Sequence, residues 1–245
     1  SRQACLACEE STALVDALDR LAAGERLDRQ AAEILYHDAP LHLLAGLADA
    51  ARQARRPEGI VTYVVDRNIN YTNICAHRCR FCAFHKPPGT SSEDGAYVLS
   101  KAELSAKIIE TQALGGNQIL LQGGCHPDLG VEWFEDLLRH IVTEHPGVHI
   151  HALSPPEIVY LSRREGLPMP EVLARLRAAG LASIPGGGAE ILVDEVRQRV
   201  SPGKCSAGEW LGVMEEAHRQ GLRSPKAQIS SSPKTPTNGL PGGMA

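Results

Sequence analysis

Residues 118–124, Q-I-L-L-Q-G-G, decide the fold class of this chain. The apolar centre of this stretch predicts a short strand, and the paired glycines predict its end. Helical patterns lie on both sides, because residues 99–116 begin with a Ser100–Glu103 capping box and residues 131–144 have one apolar face. The order helix, strand, helix predicts an α/β fold with parallel strands.

The same alternation extends outward and defines a predicted α/β domain over residues 60–223. Further strands are predicted at 60–66, 148–152 and 181–185, and further helices at 171–179, about 189–199 and about 207–220. Parallel strands joined by right-handed crossovers end at one edge of the sheet, and ligands bind at that edge. We therefore expect the residues with chemical roles to follow the strands directly.

Residues 1–59 are predicted to form a separate helical segment before this domain. Leucines at helical spacing predict a first helix that begins near residue 12 and ends at Gly24. Two more helices are predicted, at about 28–36 and at 40–56.

Composition places the chain among ordinary globular proteins, with 43% hydrophobic and 22% charged residues and a net charge of −4. This charge gives no indication of a basic surface for nucleic acid. No apolar run approaches the roughly 20 residues that span a bilayer, and the first ten residues lack the apolar centre of a secretory signal. We therefore expect a cytoplasmic protein, whose thiols stay reduced.

Three cysteines lie within the stretch N-I-C-A-H-R-C-R-F-C-A-F, residues 73–84: Cys75, Cys79 and Cys82. In a reducing compartment, thiols this close indicate a metal or redox site more than a disulfide. Three thiolates suit an iron–sulfur cubane, since each binds one iron and the fourth iron stays open to a ligand. A Cys3His zinc site using His77 or His85 remains an alternative, as do three ordinary buried cysteines.

Phe81, inside this motif, fits either an apolar shell around a cluster or an ordinary core position. No role is assigned to the remaining cysteines, which are Cys5, Cys8, Cys125 and Cys205.

Glycines and histidines mark the ends of the next strands. Gly123 and Gly124 would let a ligand approach the backbone and would expose unpaired N–H groups, although paired glycines also form ordinary turns. On the strand at 148–152, alternation places His149 and His151 on one face. They are predicted to hydrogen-bond in a polar cavity; the alternative is a metal pair, for which no third ligand is evident.

Two further stretches follow strands. S-P-P-E offers Ser154 and Glu157 at the end of the third strand, or forms an ordinary helix cap. P-G-G-G-A-E, residues 185–190, is a glycine-rich turn into a helix that suits anion binding, but it is not the G-x-G-x-x-G of dinucleotide folds. Glu190 lies in the first turn of that helix, where its charge is favourable whatever the function.

Together these motifs resemble the radical S-adenosylmethionine (radical SAM) superfamily. The C-x3-C-x-Φ-C triplet carries the resemblance, with V-D-R-N-I-N-Y-T-N-I-C, I-L-L-Q-G-G, H-I-H-A-L-S-P-P-E-I and S-I-P-G-G-G-A-E-I-L-V-D. These stretches are similar to the group that contains the menaquinone-pathway enzymes of the futalosine route and deazaflavin (FO) synthase. G-G-G-A-E-I-L-V-D-E-V-R and S-P-G-K-C-S-A-G-E-W-L favour the dehypoxanthine futalosine cyclases over the aminofutalosine synthases and FO synthase subunits.

The resemblance implies a (β/α) barrel, here partial with about four β/α units, and an enzyme that uses a [4Fe–4S] cluster and SAM. The cluster would be bound by the three motif cysteines, and SAM by Gln122, Gly123, Gly124 and Phe81. The substrate cavity would be lined by Asn68, Asn70, His151, Ser154, Glu157 and Glu190. No residue is assigned as the proton acceptor.

The implied chemistry is a reductive cleavage of SAM followed by ring closure. A 5′-deoxyadenosyl radical would take hydrogen from the ribose of dehypoxanthine futalosine, and the substrate radical would close onto the benzoate ring. The implied partners are the small-molecule substrate and an electron donor such as flavodoxin or ferredoxin.

The sequence departs from the group after Arg223. Relatives continue into a strand of the type T-A-T-M-M-F-G-H, whereas residues 224–245 are half Ser, Pro and Gly and are predicted to be disordered. Four strands are too few to close a barrel. We therefore expect weak or absent activity from this chain alone, and an inactive iron–sulfur or zinc protein is the alternative.

Overall fold

The computed structural model describes residues 2–61 and 63–224, so the predicted disordered tail lies outside the described residues apart from Ser224. Contacts divide the chain into two compact units, one ending at Tyr63 and the other beginning at Val64. The described helices are α1 Arg2–Ala22, α2 Arg29–Asp38, α3 Leu41–Arg55, α4 Lys101–Ala113, α5 Val131–Glu144, α6 Pro155–Glu165, α7 Met169–Ala179, α8 Asp194–Val200 and α9 Ala207–Arg219. The described strands are β1 Asp66–Asn70, β2 Gln118–Gln122 and β3 His149–Ala152.

The first unit contains α1, α2 and α3, the three helices expected there, but α1 begins at Arg2 and not near residue 12. Its small core packs Ala17 of α1 against Ala31 and Leu35 of α2. Asp28 caps α2, because its carboxylate accepts a hydrogen bond from the Ala31 N–H at 2.8 Å. Among the described helices of the whole chain, none combines the length and apolarity that a membrane crossing needs.

The sheet of the second unit is parallel, with the strand order β1–β2–β3. Asp66 pairs with Gln118, and Gln118 pairs with His149, so the three strands are level at their amino ends. The outer face is apolar and buried, as at Ile119, Leu121 and Ile150. The opposite face, called the inner face below, carries the alternate residues of the strands, most of them polar: Asp66, Asn68, Asn70, Gln118, Leu120, Gln122, His149 and His151.

Helices cover the outer face and complete the core. Ile108 of α4 and Ile141 of α5 are fully buried in the same cluster as the outer-face residues. Leu176 of α7 and Val213 of α9 extend this cluster. Burial of apolar area at roughly 25 cal/mol per Å² is the main stabilising contribution to such a core. One face of the sheet therefore supplies stability and leaves the other free for polar side chains.

The first predicted strand is wrong in position. Residues 60–66 were expected to form it because they are β-branched, but β1 begins at Asp66 and uses the polar residues D-R-N-I-N. Pairing with β2 decides where the strand lies. In this register Ile69 is buried in the core, and Asn68 and Asn70 face the inner side of the sheet. The apolar residues before β1 lie outside the sheet, and Tyr63 is 86% exposed.

Three later predictions also need correction. The strand expected at 181–185 is reduced to isolated bridges that join Ser183 to His151 and to Arg223, so three strands rather than four are present in the described part. Helix α6 was not predicted as an element. Helix α8 begins at Asp194 instead of about 189, because the glycine-rich stretch continues as a loop in which Glu190 has a φ of 22°. That turn therefore does not open directly into a helix.

Stability is expected to fall as the pH is lowered from 7.5 to 5.5. Burial lowers the pKa of His145, at the end of α5, and of His218, in α9, whose Nε2 is buried without a hydrogen-bond partner. A lowered histidine pKa means that the unfolded chain binds the proton first, so stability is complete above about pH 6.5 and declines below it. Urea denaturation across this range measures the effect, and His218→Gln should reduce the slope. A free energy of unfolding that rises towards pH 5.5 would contradict it.

Candidate functional site

A cleft of about 250 Å³ opens at the carboxyl ends of β1 and β2. Its wall contains all three cysteines of the motif, Phe81, and the whole Q-G-G turn. Asn70, Ser154 and Glu157 also line it, whereas Asn68, His151 and Glu190 do not. The structure therefore gathers ten of the thirteen candidate residues around one space, at the edge where parallel sheets bind ligands.

The segment that carries the cysteines is closed at its base by backbone pairing. The Cys75 N–H donates to the Lys86 carbonyl at 2.9 Å, and the Lys86 N–H donates to Asn73 at 2.8 Å. Near the middle of the segment, the Arg80 N–H donates to the carbonyl of Val200 at 2.8 Å. The cysteines are thus held on an anchored loop and not on a helix.

Cys125 approaches Cys75 and changes its acidity. The Cys125 N–H lies 3.3 Å from the Cys75 sulfur, and the Cys125 thiol also donates to it. Chiefly because of this thiol donor, the pKa of Cys75 falls to about 6, so Cys75 is a thiolate at neutral pH. Sequence reasoning assigned Cys125 no role. Its position directly after Q-G-G, opposite the first cysteine, was the one signal available.

The donor set fits an iron–sulfur cluster better than a single zinc ion. Among the described residues, no three His, Cys, Asp or Glu side chains converge closely enough to hold one metal ion. Zinc needs four donors around one point, whereas each cysteine of a cubane binds a different iron. His77, one of the two proposed zinc ligands, has a buried Nε2 without a hydrogen-bond partner and packs edge-on against Tyr160. Three thiols around an open cleft are compatible with a cubane.

The Q-G-G turn is packed so tightly that only glycine fits. A Cβ on Gly124 would lie 2.0 Å from the carbonyl oxygen of Ile74, and one on Gly123 would lie 2.6 Å from the ring of Tyr71. Its N–H groups are not left unpaired, contrary to expectation: the Gly123 N–H donates to Glu157 at 3.1 Å, and the Gly124 N–H donates to Thr72 at 3.0 Å. The Gln122 carbonyl oxygen accepts from the Asn70 side-chain amide at 3.1 Å, and the Gly124 carbonyl oxygen lies 3.3 Å from the Tyr71 hydroxyl. Because a carbonyl oxygen can accept two hydrogen bonds, these oxygens can still accept a donor from a ligand.

Glu157 connects this turn to the start of α6. One carboxylate oxygen accepts hydrogen bonds from the Tyr71 hydroxyl at 2.8 Å and from the Gly123 N–H. The other accepts from the N–H of Ser154 at 2.7 Å and from its hydroxyl, which confirms the helix-cap interpretation of this pair. Burial raises the pKa of Glu157, and these four donors oppose the rise. Glu157 therefore acts as a buried anchor for the turn.

Removing the Tyr71 hydroxyl is expected to weaken this anchor. Tyr71→Phe deletes one hydrogen bond to a buried carboxylate, which corresponds to a loss of about 1.5–3 kcal/mol in the free energy of unfolding. Thermal denaturation measures the change. Tyr160→Phe is the matched control, since the Tyr160 hydroxyl makes no hydrogen bond within the described part of the chain. Equal stabilities for the two variants would count against this role of Tyr71.

The glycine-rich loop reaches the cleft through Gly188 and is held by a buried cation. The Arg197 guanidinium is 3% exposed and donates to the carbonyl oxygens of Gly188, Ala189, Ile191 and Cys205 at 2.9–3.1 Å. These bonds fix the path of the loop through its backbone alone. Within the loop, Gly187 lies so near Gln122 that a Cβ would be 2.6 Å from the Gln122 side-chain nitrogen.

Lys204 is a residue of the cleft that sequence reasoning missed. Its ammonium lies 5.3 Å from the centre of the Phe81 ring and 3.0 Å from Glu190. Glu190 thus acts on the cleft through Lys204 instead of lining it. Phe81 is 56% exposed and belongs to the wall of the cleft, so it is not a core residue.

The two histidines of β3 share one hydroxyl on the inner face of the sheet. His149 Nε2 lies 2.7 Å and His151 Nδ1 lies 2.6 Å from the Ser183 hydroxyl oxygen. His149 is exposed, and His151 is 8% exposed. Both rings therefore make hydrogen bonds, as the preferred interpretation expects, although neither lines the cleft, and among the described residues no third donor joins them to form a metal site. Asn68, at the level of His151, is exposed on the same face.

Two solved structures have a similar fold. HydG, a maturase of the [FeFe]-hydrogenase, superposes with a TM-score of 0.63 and 14% identity over 86% of this chain and 45% of its own. Methylornithine synthase (PylB) superposes with a TM-score of 0.58 and 20% identity over 85% of this chain and 57% of its own. At these identities, the likeness shows the fold alone.

Sequence relatives are much more similar. The chain is 40% identical over 228 residues to the cyclic dehypoxanthine futalosine synthase of Streptomyces coelicolor, covering 92% of this chain and 57% of that protein. It is 34% identical over 231 residues to the 5-amino-6-(D-ribitylamino)uracil–L-tyrosine 4-hydroxyphenyl transferase of Microcystis aeruginosa, covering 91% and 60%. It is also 40% identical over 198 residues to the FO synthase of S. coelicolor, covering 80% and 22%.

The chain therefore spans less than two thirds of the length of these relatives. The family model described as the radical SAM superfamily matches residues 69–230, which include the motif cysteines, the Q-G-G turn and β3. Family model, relatives and fold agree with the resemblance drawn from the motifs, and the chain belongs to the radical SAM superfamily.

Proposed function

We propose that this chain forms the SAM-cleaving part of a dehypoxanthine futalosine cyclase. The observation that carries the proposal is the cleft in which the three cysteines face the Q-G-G turn. The identity of 40% to a cyclic dehypoxanthine futalosine synthase supports this member of the superfamily.

Cys75, Cys79 and Cys82 would hold a [4Fe–4S] cluster, and Gln122, Gly123 and Gly124 would hold SAM beside it. When bound, the two cofactors supply an electron and a 5′-deoxyadenosyl radical that removes a hydrogen atom from the substrate. Because the N–H groups of both glycines are already bonded, the turn would receive the SAM ammonium through carbonyl oxygens. Phe81 and Lys204 would close the other side of the same cleft.

The inner face of the sheet would hold the substrate. Asn70 and Ser154 lie at the cleft, and Asn68 and His151 lie lower on the same side of the sheet. These are neutral hydrogen-bonding side chains, which suits a ligand that carries a sugar. The electron that starts the reaction would come from a flavodoxin or ferredoxin.

Anaerobic reconstitution with iron and sulfide, followed by SAM, reductant and dehypoxanthine futalosine, tests the proposal. The expected products are 5′-deoxyadenosine and, at a low rate because this chain alone supplies only part of the barrel, the cyclic compound. Release of 5′-deoxyadenosine without cyclic product would exclude the cyclase and keep a radical SAM enzyme of the same group. Binding of one zinc per chain, without the visible absorption of an iron–sulfur cluster, would exclude both.

The second candidate function is that of an FO synthase subunit, a radical SAM enzyme of the same group. It is suggested by the identity of this chain to FO synthase and to the tyrosine 4-hydroxyphenyl transferases. The same reconstituted protein should then be offered L-tyrosine with 5-amino-6-(D-ribitylamino)uracil, the two compounds in the name of the second relative. Turnover of this pair in preference to dehypoxanthine futalosine would replace the first proposal with the second.

A further inference from the structure

Ser183 joins two imidazoles into one hydrogen-bonded chain along the inner face of the sheet. It bonds His149 Nε2 at 2.7 Å and His151 Nδ1 at 2.6 Å, and it is 4% exposed. His151 lies one pleat below Gln122, since it pairs with Leu120, whereas His149 is the first residue of β3. The chain of bonds thus runs from beneath the cleft to the exposed amino end of the sheet.

One hydroxyl carries one proton, and this fact couples the two rings. If Ser183 donates to His149 Nε2, it must accept from the Nδ1–H of His151, and both rings are Nδ1–H tautomers. If Ser183 donates to His151 Nδ1, it accepts from the Nε2–H of His149, and both rings are Nε2–H tautomers. Whenever Ser183 donates to one ring and accepts from the other, the two rings therefore have the same tautomer, and moving a proton along these hydrogen bonds switches both together.

The atoms at the ends of this chain are suited to take up and release a proton. Among the described residues no side chain hydrogen-bonds to His151 Nε2, so in the first arrangement this nitrogen is an acceptor; the backbone of Ser183 also hydrogen-bonds to the ring and raises its pKa. Burial lowers the pKa of both rings, which keeps them neutral at pH 7. The negative charge of Asp66 acts in the opposite direction and raises the pKa of His151. The positive charge of Arg223 lowers the pKa of His149 further.

We propose that His151, Ser183 and His149 form a proton relay to solvent for the proton that the cyclised substrate radical loses, together with one electron taken up by the oxidised iron–sulfur cluster, when the product forms. This role rests on the cyclase function proposed above. A proton leaving the substrate binds His151 Nε2, the Nδ1 proton of His151 passes to the Ser183 oxygen, and the Ser183 hydroxyl proton passes to His149 Nε2. His149 releases its Nδ1 proton to water, so each group regains neutrality and only one proton has crossed.

The protein contains a second serine between two histidines, which is a matched control for this arrangement. Ser105 of α4 also bridges two histidines, with His140 Nε2 at 3.0 Å and His145 Nε2 at 2.9 Å. There the hydroxyl contacts the same nitrogen of both rings, so those rings must have opposite tautomers. The Ser105 group lies away from the inner face and is not expected to affect the reaction.

Ring nitrogen chemical shifts, from long-range ¹H–¹⁵N spectra of the full chain, test the relay without any cofactor. The same tautomer is expected for His149 and His151, and opposite tautomers for His140 and His145. Ser183→Ala should remove the first correlation, and Ser183→Thr should restore it. Opposite tautomers for His149 and His151 in the unaltered chain would overturn the proposal.

Turnover of the reconstituted chain gives the second test. Ser183→Ala should slow formation of the cyclic product about 10- to 100-fold, as loss of a proton-transfer path does, without slowing 5′-deoxyadenosine release. Ser183→Thr should recover the rate, and Ser105→Ala should leave it unchanged. Equal losses in the two serine-to-alanine variants would overturn the relay. If the unaltered chain forms no cyclic product, the cyclase function fails, while the tautomers still decide whether the coupled chain exists.

Discussion

Replacing Cys79 with serine is expected to abolish cluster binding and SAM cleavage. Cys79 is the buried member of the motif, at the centre of the loop between Cys75 and Cys82. A cubane needs a thiolate on each of three irons, and a serine hydroxyl stays protonated and binds iron poorly. Three cysteines bind three irons and leave the fourth iron for SAM. With only two cysteines the cluster is not retained, so the SAM site is lost with it.

Iron and sulfide content after anaerobic reconstitution measures this effect, together with visible absorption and 5′-deoxyadenosine release. The unaltered chain should bind about four irons, as a [4Fe–4S] cluster requires. Cys205→Ala is the control, because Cys205 is a buried cysteine that does not line the cleft. Arg197 bonds its carbonyl oxygen, which the substitution retains. A Cys79→Ser protein with an unchanged cluster, or a Cys205→Ala protein that loses it, would show that the motif is not the cluster site.

The second large effect is expected from Gly124→Ala. The added methyl group would lie 2.0 Å from the Ile74 oxygen, 2.6 Å from the Ile74 carbonyl carbon and 2.9 Å from Cys75 Cβ. Two of these atoms belong to the backbone and cannot rotate away, so the loop that carries Cys75 must move. We expect a loss of about 3 kcal/mol or more in the free energy of unfolding, together with reduced cluster content.

Gly212→Ala is the matched control for this substitution. Gly212 lies inside α9, and a Cβ there would meet no atom within 4 Å. Alanine favours a helix over glycine by about 1 kcal/mol, so this variant should be slightly more stable. Denaturant unfolding measures both variants. Similar stability for Gly124→Ala and Gly212→Ala would mean that the Q-G-G turn can relax away from the cysteine loop.

The family and the position of the main elements could be predicted from local patterns. Strand β2 and helix α5 occur at the residues that periodicity indicated, because both are long or apolar enough for burial to decide them. β1 could not be placed in this way. Its polar residues form a strand because Gln118–Gln122 pairs with them, and such pairing is invisible in a local window.

The candidate site shows the same division. The cysteine loop and the Q-G-G turn could be found as motifs, whereas Cys125, Lys204 and Ser183 act through contacts with residues far along the chain. Nothing near Ser183 in the sequence indicates that it lies between two histidines some 30 positions earlier. The roles of the gathered residues in binding SAM and substrate stay predictions until the variants above are measured.

Arg197 gives the glycine-rich loop an unusual freedom to evolve. The guanidinium bonds this loop only through main-chain oxygens, so it fixes the path at the exposed position 191 without constraining the side chain there, whereas Ala189 packs against the core. Substitutions at position 191 can alter the shape and polarity beside the cleft with little penalty in folding. The main-chain anchor thus separates the path of the loop, which folding requires, from the side chain that the loop presents to solvent.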